Sequence, residues 1–386
     1  MINPFPKIKP KPLLITLILF FFTLSVYRFI YPEPRNWYNH YYYLAQSLSQ
    51  FKLDVPTLPD YYQDKTVFQG KNYLPFPPVP SLILLPSLAV NLTQQQTSII
   101  LGSTNVALSY LLVGSFPLSI FFAFGTVHFW SSVVGTTWYF AHVVSVFFVL
   151  LSLISHRSKK LPSPFLSGLF LGLATLSRLP IIAGSLFFFL EFKKSPKKIA
   201  LFSLGFIPII LSYFVYNWLR FDNPFRSGYL EVYEYYLRGN IPYTFFHATI
   251  PNFPHFHHLD PRNIPLHLFN FLIFPPLIQD GRLTPSPFGM GIVFTSPLLL
   301  LTFWPRFESQ TEKNAYFTAL TIAGINFLHF SQGWVQFGYR FLLDFLPFLL
   351  IILAIRFKPN KILYLLLLFS IIANTWGTLE AINLGW

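Results

Sequence analysis

Long runs of apolar residues, separated by short polar segments, recur along the whole chain. A helix that crosses a bilayer needs about 20 mainly apolar residues, whereas the strands of a membrane β-barrel alternate apolar and polar positions. The runs here do not alternate, so the expected fold class is an all-α polytopic membrane protein with residues 1–386 as a single integral membrane domain. The pattern predicts about eleven transmembrane helices, near residues 12–31, 79–92, 98–124, 133–155, 163–176, 180–192, 199–219, 286–304, 314–330, 341–356 and 362–380.

Two polar segments, residues 32–78 and 220–285, are far longer than the other connections. Loops longer than about 12–15 residues usually carry function. In the first loop, WYNHYYYLAQSLSQF predicts a helix along the membrane interface with its tyrosines at headgroup level. GKNYLPFPPVP then predicts a turn and a stiff, extended entry into the next helix. We therefore expect the first loop to carry the active site.

Basic residues cluster in the short connections, as in HRSKK (156–160), FKKSPKK (192–198) and RFKPNK (356–361). The positive-inside rule places such clusters in the cytoplasm. It therefore predicts a multi-pass protein of the plasma membrane with a cytoplasmic N-terminus, and both long loops on the extracytoplasmic face. The first apolar run is not followed by a small-residue cleavage site, so it is interpreted as a retained span.

The composition supports a membrane protein and limits the classes of partner that we expect. Only 11% of the residues are charged and 53% are hydrophobic, with a mean hydropathy of +0.50, against roughly 25% charged in soluble domains. The net charge of +13 is explained by topology, so we expect membrane lipids and no nucleic acid as partners. The chain has no cysteine, and HFHHLDPRN (255–263) lacks the spacing of a metal-ligand set. We expect no cofactor and no metal site, and a divalent ion has no support in the sequence.

Acidic residues of the first loop are the candidates for a general base on an acceptor hydroxyl or amine. Asp64 is the first candidate, because it shortly precedes the PFPP segment that leads back towards the membrane. Glu33, just after the first span, is the second. Asp54 and Asp60 lie in proline-containing segments that are typical of turns. The alternative for each of them is an ordinary solvated loop carboxylate.

The cations near the loop ends include two candidates for binding a phosphate, Lys71 and Arg178. Lys71 follows a predicted turn, and Arg178 lies between two short apolar helices, on the outer side or at membrane depth. An ionisable group at membrane depth is a functional hypothesis by default, and a guanidinium can bind phosphate with two hydrogen bonds. Arg220 flanks the turn that opens the second loop. The alternatives are a structural ion pair for Arg178 and snorkelling to lipid headgroups for Arg220.

The segment GWVQFGYRFLLDFLP places Tyr339 and Arg340 at the start of a predicted span, with Asp344 four residues further on. Residues four apart face each other on an α-helix. The spacing therefore predicts an Arg340–Asp344 ion pair, which is either purely structural or orients Arg340 towards a phosphate.

Several of these stretches together resemble the type C glycosyltransferase superfamily, in particular the protein mannosyltransferase-like group (family 39) that includes the lipid A aminoarabinose transferases. The resemblance rests on HYYYLAQSL, QDKTVFQGKNYLPFPPVPSLILLP, FGTVHFWSSVVGTTWYFAH, LFLGLATLSRLP, YNWLRFDNPFRSGY and FGYRFLLDFLP, which are spread over nearly the whole chain. It implies an integral membrane enzyme that moves a sugar from a polyprenyl-phosphate-linked donor to a lipid, glycan or protein acceptor on the outer face, with inversion.

The resemblance also assigns roles. An acid of the first outer loop acts as the base in that family; QDKTVFQGKNY matches its loop at Asp64, with Glu33 as the second choice. The chain has no plain match to the family's pair of acids just after the first helix. The implied phosphate-binding residues are Lys71, Arg178, Arg340 and Tyr339, supported by Asp344, His40 and Arg220.

Other functions also fit a polytopic membrane protein with large loops. A ligase or polymerase of lipid-linked glycans shares the location and the loops. A transporter or flippase predicts inverted repeats and ionisable groups inside the helix bundle, and Arg178 fits that alternative. A structural or assembly protein predicts no active site. A nucleotide-sugar donor is disfavoured, because the sequence has no glycine-rich phosphate loop.

Overall fold

A computed structural model describes residues 12–31, 37–158, 162–239 and 241–386, and about 67% of the chain is helical. The α-helices are α1 Pro12–Ile30, α2 His40–Ser49, α3 Val79–Ala89, α4 Gln94–Val113, α5 Phe116–Phe124, α6 His128–Val134, α7 Thr137–Arg157, α8 Ser163–Thr175, α9 Ser185–Phe192, α10 Pro196–Phe221, α11 Tyr229–Arg238, α12 Phe245–Thr249, α13 Ile264–Leu272, α14 Ile292–Thr295, α15 Gln310–Phe327, α16 Leu346–Arg356 and α17 Lys361–Asn383. Two antiparallel hairpins pair β1 Thr66–Phe68 with β2 Lys71–Tyr73 and β3 Leu277–Gln279 with β4 Arg282–Thr284. Segments of 3₁₀ helix span Leu179–Gly184, Pro261–Asn263, Pro297–Phe303 and Arg340–Asp344.

The predicted all-α membrane class is confirmed in its coarse form, but with fewer spans. Within the described ranges, five helices are long and apolar enough to cross a membrane (α1, α4, α7, α10 and α17), or six if α5 and α6 form one span bent by 55°. This is below the predicted eleven, because many apolar runs are divided. For example, the run predicted at 98–124 breaks at Gly114, whose φ of 66° ends α4, just before Pro117. The remaining apolar helices of 10–17 residues are too short to span alone.

The long apolar helices fall into an inner and an outer group. In α4 and α7, 67% and 78% of the most apolar window is buried inside the protein, whereas the corresponding values for α1, α10 and α17 are 17%, 28% and 33%. Large apolar side chains on the outer helices remain exposed, as in Leu211 and Phe369. Exposed apolar surface of this extent is stable only against another apolar medium, which indicates that the outer helices face lipid.

Helices α8 and α10 cross with their backbones almost in contact. A Cβ on Gly168 would lie 2.0 Å from the carbonyl oxygen of Phe202, and one on Gly205 would lie 2.2 Å from that of Phe165. Small residues at such a crossing let two membrane helices pack closely. The crossing fixes the position of the chain that leaves α8, which carries Arg178 directly before a 3₁₀ segment.

In the described ranges, the two long loops are folded, and each contains short helical segments and one β-hairpin. The first contains α2 and the β1–β2 hairpin, whose turn at Gln69 and Gly70 agrees with the predicted turn. Helix α2 packs into the protein, and its Tyr41 is only 1% exposed. The expectation of an interfacial helix with all its tyrosines at headgroup level is therefore wrong for Tyr41, because α2 is covered by α3 and the rest of the loop.

The loops are also bound to each other. The Thr66 hydroxyl donates to the carbonyl of Gly228 at 3.0 Å, and Gln69 Nε2 donates to Asp222 Oδ2 at 3.0 Å. Gly228 has a φ of 90°, and a Cβ there would lie 2.6 Å from Thr66 Oγ1, so only glycine fits without displacement. This contact orients α11, which begins at the next residue, over the first loop.

Candidate functional site

A cavity of about 640 Å³ lies where the two loops meet the helix ends. Its walls are mainly aromatic, and its ionisable residues include Asp64, Arg178 and Arg340. These three come from the first loop, from the chain after α8 and from the 3₁₀ segment before α16. The aromatic lining includes Trp37, Tyr38, Phe76, Trp138, Tyr139, Tyr229, Tyr236, Tyr243, Phe330, Trp334, Phe341 and Trp386. The fold thus brings together three sequence candidates that lie more than 100 residues apart along the chain.

Asp64 is a buried carboxylate held by neutral donors. Its residue is 8% exposed, and its φ of 56° is an uncommon value that aspartate tolerates. Trp138 Nε1 donates to Oδ2 at 2.6 Å, and the hydroxyl of Tyr236 lies 3.2 Å from Oδ1. Among the described residues, no cation lies within ion-pair distance of this carboxylate. The backbone conformation and the two donors fix where both oxygens point.

Burial raises the pKa of Asp64 above its usual range, and the hydrogen bonds from Trp138 and Tyr236 and the charge of Arg340 oppose that rise. Desolvation acts this way because it disfavours the charged form of the carboxylate. A carboxylate with a raised pKa is a better proton acceptor than one in water. The setting of Asp64 is therefore chemically suited to a general base.

Arg178 reaches the cavity while paired with a different carboxylate. Its Nε and Nη2 donate to the two oxygens of Asp344 at 3.3 and 3.0 Å, and His142 Nδ1 donates to Oδ1 of the same residue at 2.8 Å. Asp344 and His142 are fully buried, whereas the Arg178 side chain is 20% exposed. The fork geometry fixes the guanidinium plane and leaves further N–H groups for a ligand.

Arg340 has a different environment from Arg178. It is 8% exposed, it lines the cavity, and it makes no ion pair with any residue of the described ranges. Its Nε has no hydrogen-bond partner there, and its guanidinium carbon lies 5.7 Å from the ring centre of Tyr139 and 5.3 Å from that of Phe341. A buried cation without a carboxylate partner is costly unless an anion binds beside it. Arg340 is therefore the strongest anion-binding candidate in this cavity.

His40 supports Asp64 through the backbone. Its Nε2 donates to the carbonyl of Gln63 at 2.7 Å, and its Nδ1 lies 2.9 Å from the hydroxyl of Thr137. Burial lowers the pKa of His40 to about 4, so the ring is neutral and carries a single N–H. His40 thus holds the backbone of the residue before Asp64.

Tyr339 lies below the cavity and does not line it. Its residue is 1% exposed, and its hydroxyl contacts His267 Nδ1 at 2.7 Å, while His267 Nε2 donates to the carbonyl of His329 at 2.7 Å. His329 does line the cavity, and burial lowers its pKa to about 3, so its ring is neutral. The hydroxyl of Tyr339 is therefore engaged with His267, and the structure does not bring this residue into the cavity with Arg178 and Arg340.

The predicted Arg340–Asp344 ion pair is also wrong. Both residues lie in a 3₁₀ segment, which has three residues per turn, so positions four apart do not face each other. Asp344 instead pairs with Arg178, which leaves Arg340 facing the cavity. Lys71 is exposed on β2 and does not line the cavity, because the hairpin directs it to solvent. It is not part of the cation pair.

Arg220 is buried rather than snorkelling. One guanidinium nitrogen donates to the carbonyl of Leu74, and another donates to Asn217 Oδ1 at 2.6 Å. Its guanidinium carbon lies 3.9 Å from the ring centre of Tyr216. Arg220 thus ties the end of α10 to the first loop, which is a supporting role outside the cavity. Glu33 lies outside the described residues.

Four residues of the site have no counterpart among the sequence candidates: Trp138, Tyr236, His142 and His329. Trp138 lies in FGTVHFWSSVVGTTWYFAH, but nothing in that run marks one tryptophan as a carboxylate partner. Tyr236 comes from YLEVYEYYLR, which contains four tyrosines that look alike in the sequence. The roles of these residues follow from contacts between residues 62 to 202 positions apart, and a single sequence carries no signal of such contacts.

In the part of the chain that the structure describes, no group of three or more histidine, aspartate or glutamate side chains is placed to hold a metal ion. In the histidine-rich segment, Asp260 is paired with Arg262 at 2.7 Å. Comparison of the sequence with protein-family models, with curated proteins and with solved structures gives no match.

Proposed function

We propose that this protein is a membrane glycosyltransferase that moves a sugar from a polyprenyl-phosphate-linked donor to an acceptor on the extracytoplasmic face, with inversion at the anomeric carbon. The observation that carries this proposal is one aromatic cavity that contains a buried carboxylate with a raised pKa and two guanidinium groups. Aromatic faces suit sugar rings, the arginines suit a phosphate, and the carboxylate suits a proton-donating acceptor.

The position of the cavity fits a lipid-linked donor. Thr136 and Trp138, at the start of α7, line the cavity, and the basic residues His156 and Arg157 lie at the other end of the same helix. A helix of 21 residues is about 30 Å long, close to the thickness of the hydrocarbon core of a bilayer. The positive-inside rule assigns the basic end to the cytoplasm, which puts the cavity at the opposite membrane surface.

The reaction is a single displacement. Asp64 accepts the proton of the acceptor hydroxyl, whose oxygen forms a bond to the anomeric carbon. The bond from that carbon to the phosphate oxygen breaks, and polyprenyl phosphate leaves with the electron pair. Attack from the face opposite the phosphate inverts the anomeric centre. Arg340 and Arg178 bind the phosphate, whose negative charge increases in the transition state, so they stabilise that state more than the bound donor.

The test is transfer of labelled sugar from a panel of polyprenyl-phosphate donors in reconstituted vesicles. Asp64→Asn is compared with Asp60→Asn, which makes the same change at an exposed residue of the same loop. We expect transfer by the wild type and by Asp60→Asn, and a loss of about 10²–10⁴-fold for Asp64→Asn, the usual range for a general base.

Transfer that survives Asp64→Asn, at equal amounts of folded protein, would remove Asp64 from the mechanism while keeping the enzyme class. The absence of transfer by folded wild type with every donor of the panel would reject the glycosyltransferase. Movement of the labelled donor across the vesicle membrane in that experiment would instead support the flippase.

A further inference from the structure

Tyr236 is a contact of Asp64 that has a second acceptor within reach. Its hydroxyl lies 3.2 Å from Asp64 Oδ1 and 3.1 Å from the side-chain oxygen of Gln63. A phenol has a single O–H, so it donates to one of these oxygens at a time. The two distances differ by only 0.1 Å, so a rotation of the O–H bond exchanges the acceptors without movement of the ring.

The other oxygen of Asp64 has no such freedom. Trp138 Nε1 donates to Oδ2 at 2.6 Å, a short bond to a carboxylate, and an indole N–H has a fixed direction in the ring plane. Trp138 is the second residue of α7, so its backbone is anchored by the helix. Oδ2 therefore always carries one donor, whereas the donor on Oδ1 can turn away, which leaves Oδ1 as the more basic oxygen.

We propose that Tyr236 is a positioning residue for the transfer reaction: its hydroxyl turns from Asp64 Oδ1 to Gln63 and thereby frees Oδ1 to take the proton of the acceptor. This inference rests on the proposed function and deepens it, because it assigns the reacting oxygen. While the hydroxyl donates to Oδ1, that oxygen is oriented but less basic, because the hydrogen bond stabilises its charge. Once the hydroxyl donates to Gln63, Oδ1 becomes more basic and accepts the proton of the acceptor more readily.

The exchange of the Tyr236 hydroxyl between Asp64 and Gln63 also connects the second loop, which carries Tyr236, to the candidate base in the first loop. Tyr236 lies on α11, and α11 begins directly after Gly228, the residue whose carbonyl accepts the Thr66 hydroxyl. The Gln63 backbone carbonyl is held independently by His40. The acceptor pair Gln63 and Asp64 therefore belongs to a fixed part of the first loop, and only the orientation of one hydroxyl changes.

Two substitutions test the proposal because they are expected to shift the pKa of Asp64 in opposite directions. Tyr236→Phe removes a donor from the carboxylate, which raises its pKa and moves the acid limb of the transfer rate to higher pH by about one pH unit. Gln63→Leu removes the alternative acceptor, so the hydroxyl stays on Oδ1. The acid limb then moves to lower pH, and the maximal rate falls roughly tenfold because Oδ1 is a weaker base. Tyr235→Phe, on an exposed neighbour, is the matched control and should leave both unchanged.

The pKa of Asp64 is also measured independently, by infrared spectroscopy of the folded protein with ¹³C-labelled aspartate. The Asp64→Asn variant identifies the carboxylate band of Asp64. This readout does not require transfer. Opposite shifts in the two variants support the proposal, even if the donor panel gives no turnover. Shifts of the same sign, or no shift in either variant while Asp64 is seen to titrate, would overturn it. General damage to the fold cannot produce opposite shifts.

Discussion

The two buried carboxylates near the cavity, Asp64 and Asp344, have opposite kinds of partner. Asp344 receives a fork from Arg178 and a bond from His142, so its charge is balanced within the protein. Among the described residues, Asp64 is held by the neutral donors Trp138 and Tyr236. An ion pair fixes a charge in place, whereas a buried carboxylate without a cation gains from accepting a proton. Of these two aspartates, Asp64 has the environment of a base and Asp344 that of a structural counter-ion.

The same contrast separates the two arginines. Arg178 is bound to Asp344, and its orientation is fixed before any ligand arrives. Arg340 has no carboxylate partner within the described ranges and lies against the rings of Tyr139 and Phe341. One arginine is thus neutralised by the protein, and the other needs an anion from outside. The cavity therefore contains a buried positive charge that a negatively charged ligand would balance.

The largest expected effect is on folding. Asp344→Asn leaves the partly exposed Arg178 without its fully buried counter-charge, and breaking one partner of a buried pair costs about 3–5 kcal/mol. We expect a correspondingly lower free energy of unfolding, measured by chemical unfolding in detergent or in vesicles. Glu308→Gln is the control, because its pair with Lys358 is exposed and contributes about 0–1 kcal/mol. An Asp344→Asn protein as stable as the wild type would contradict the assignment of Asp344 as a structural counter-ion.

The second prediction separates the arginines. Arg340→Gln should lower the transfer rate by about 10²–10³-fold, the cost of losing one donor to a developing negative charge. The free energy of unfolding should not fall, because the substitution orphans no carboxylate. Arg178→Gln should reduce both, since Asp344 then loses its fork. Arg238→Gln, at a side chain that is 82% exposed, is the control for both measurements. Equal effects of the two central substitutions on stability would contradict the distinction.

A smaller effect is expected where the loops meet. Gly228→Ala places a Cβ 2.6 Å from Thr66 Oγ1 at a φ of 90°, which should cost about 1–3 kcal/mol. Because α11 carries Tyr236, protection of its amides from hydrogen exchange should fall as well. Adding Thr66→Ala removes the close contact and should restore part of the stability. If the double variant is less stable than Gly228→Ala alone, the contact is not the cause.

The smallest predicted effect concerns pH. The pKa of Asp64 is raised in the folded protein, so the ionised form opposes folding at pH values above that pKa. Asp64→Asn should therefore be more stable than the wild type at neutral pH, by about 1.4 kcal/mol for every tenfold difference between the acid dissociation constants of Asp64 in the folded and unfolded protein. The difference should shrink as the pH falls through the folded pKa and vanish below the ordinary pKa of aspartate. Thermal unfolding at several pH values measures it, and a less stable variant at neutral pH would contradict the assignment.

The sequence was sufficient to identify candidate ionisable residues for the site, but not the contacts that those residues make. A charge-poor chain makes each ionisable residue conspicuous, which is why Asp64, Arg178 and Arg340 stand out, and all three line the cavity. The predicted ion pair between Arg340 and Asp344 is wrong, because i to i+4 spacing implies a contact only in an α-helix. The segment Arg340–Asp344 is a 3₁₀ helix, and the partner of Asp344 is 166 residues away.

The helical membrane class and the two long loops could be predicted from the sequence, since both follow from local hydrophobicity. The number of spans did not follow, because short apolar runs broken by proline and glycine look like spans until their helix ends are known. Tertiary structure alone decided that Tyr236 and Trp138 hold Asp64, and that Asp344 belongs to Arg178. The physical reason is that these contacts join distant segments, and their geometry depends on how the helices pack and how the loops close over them.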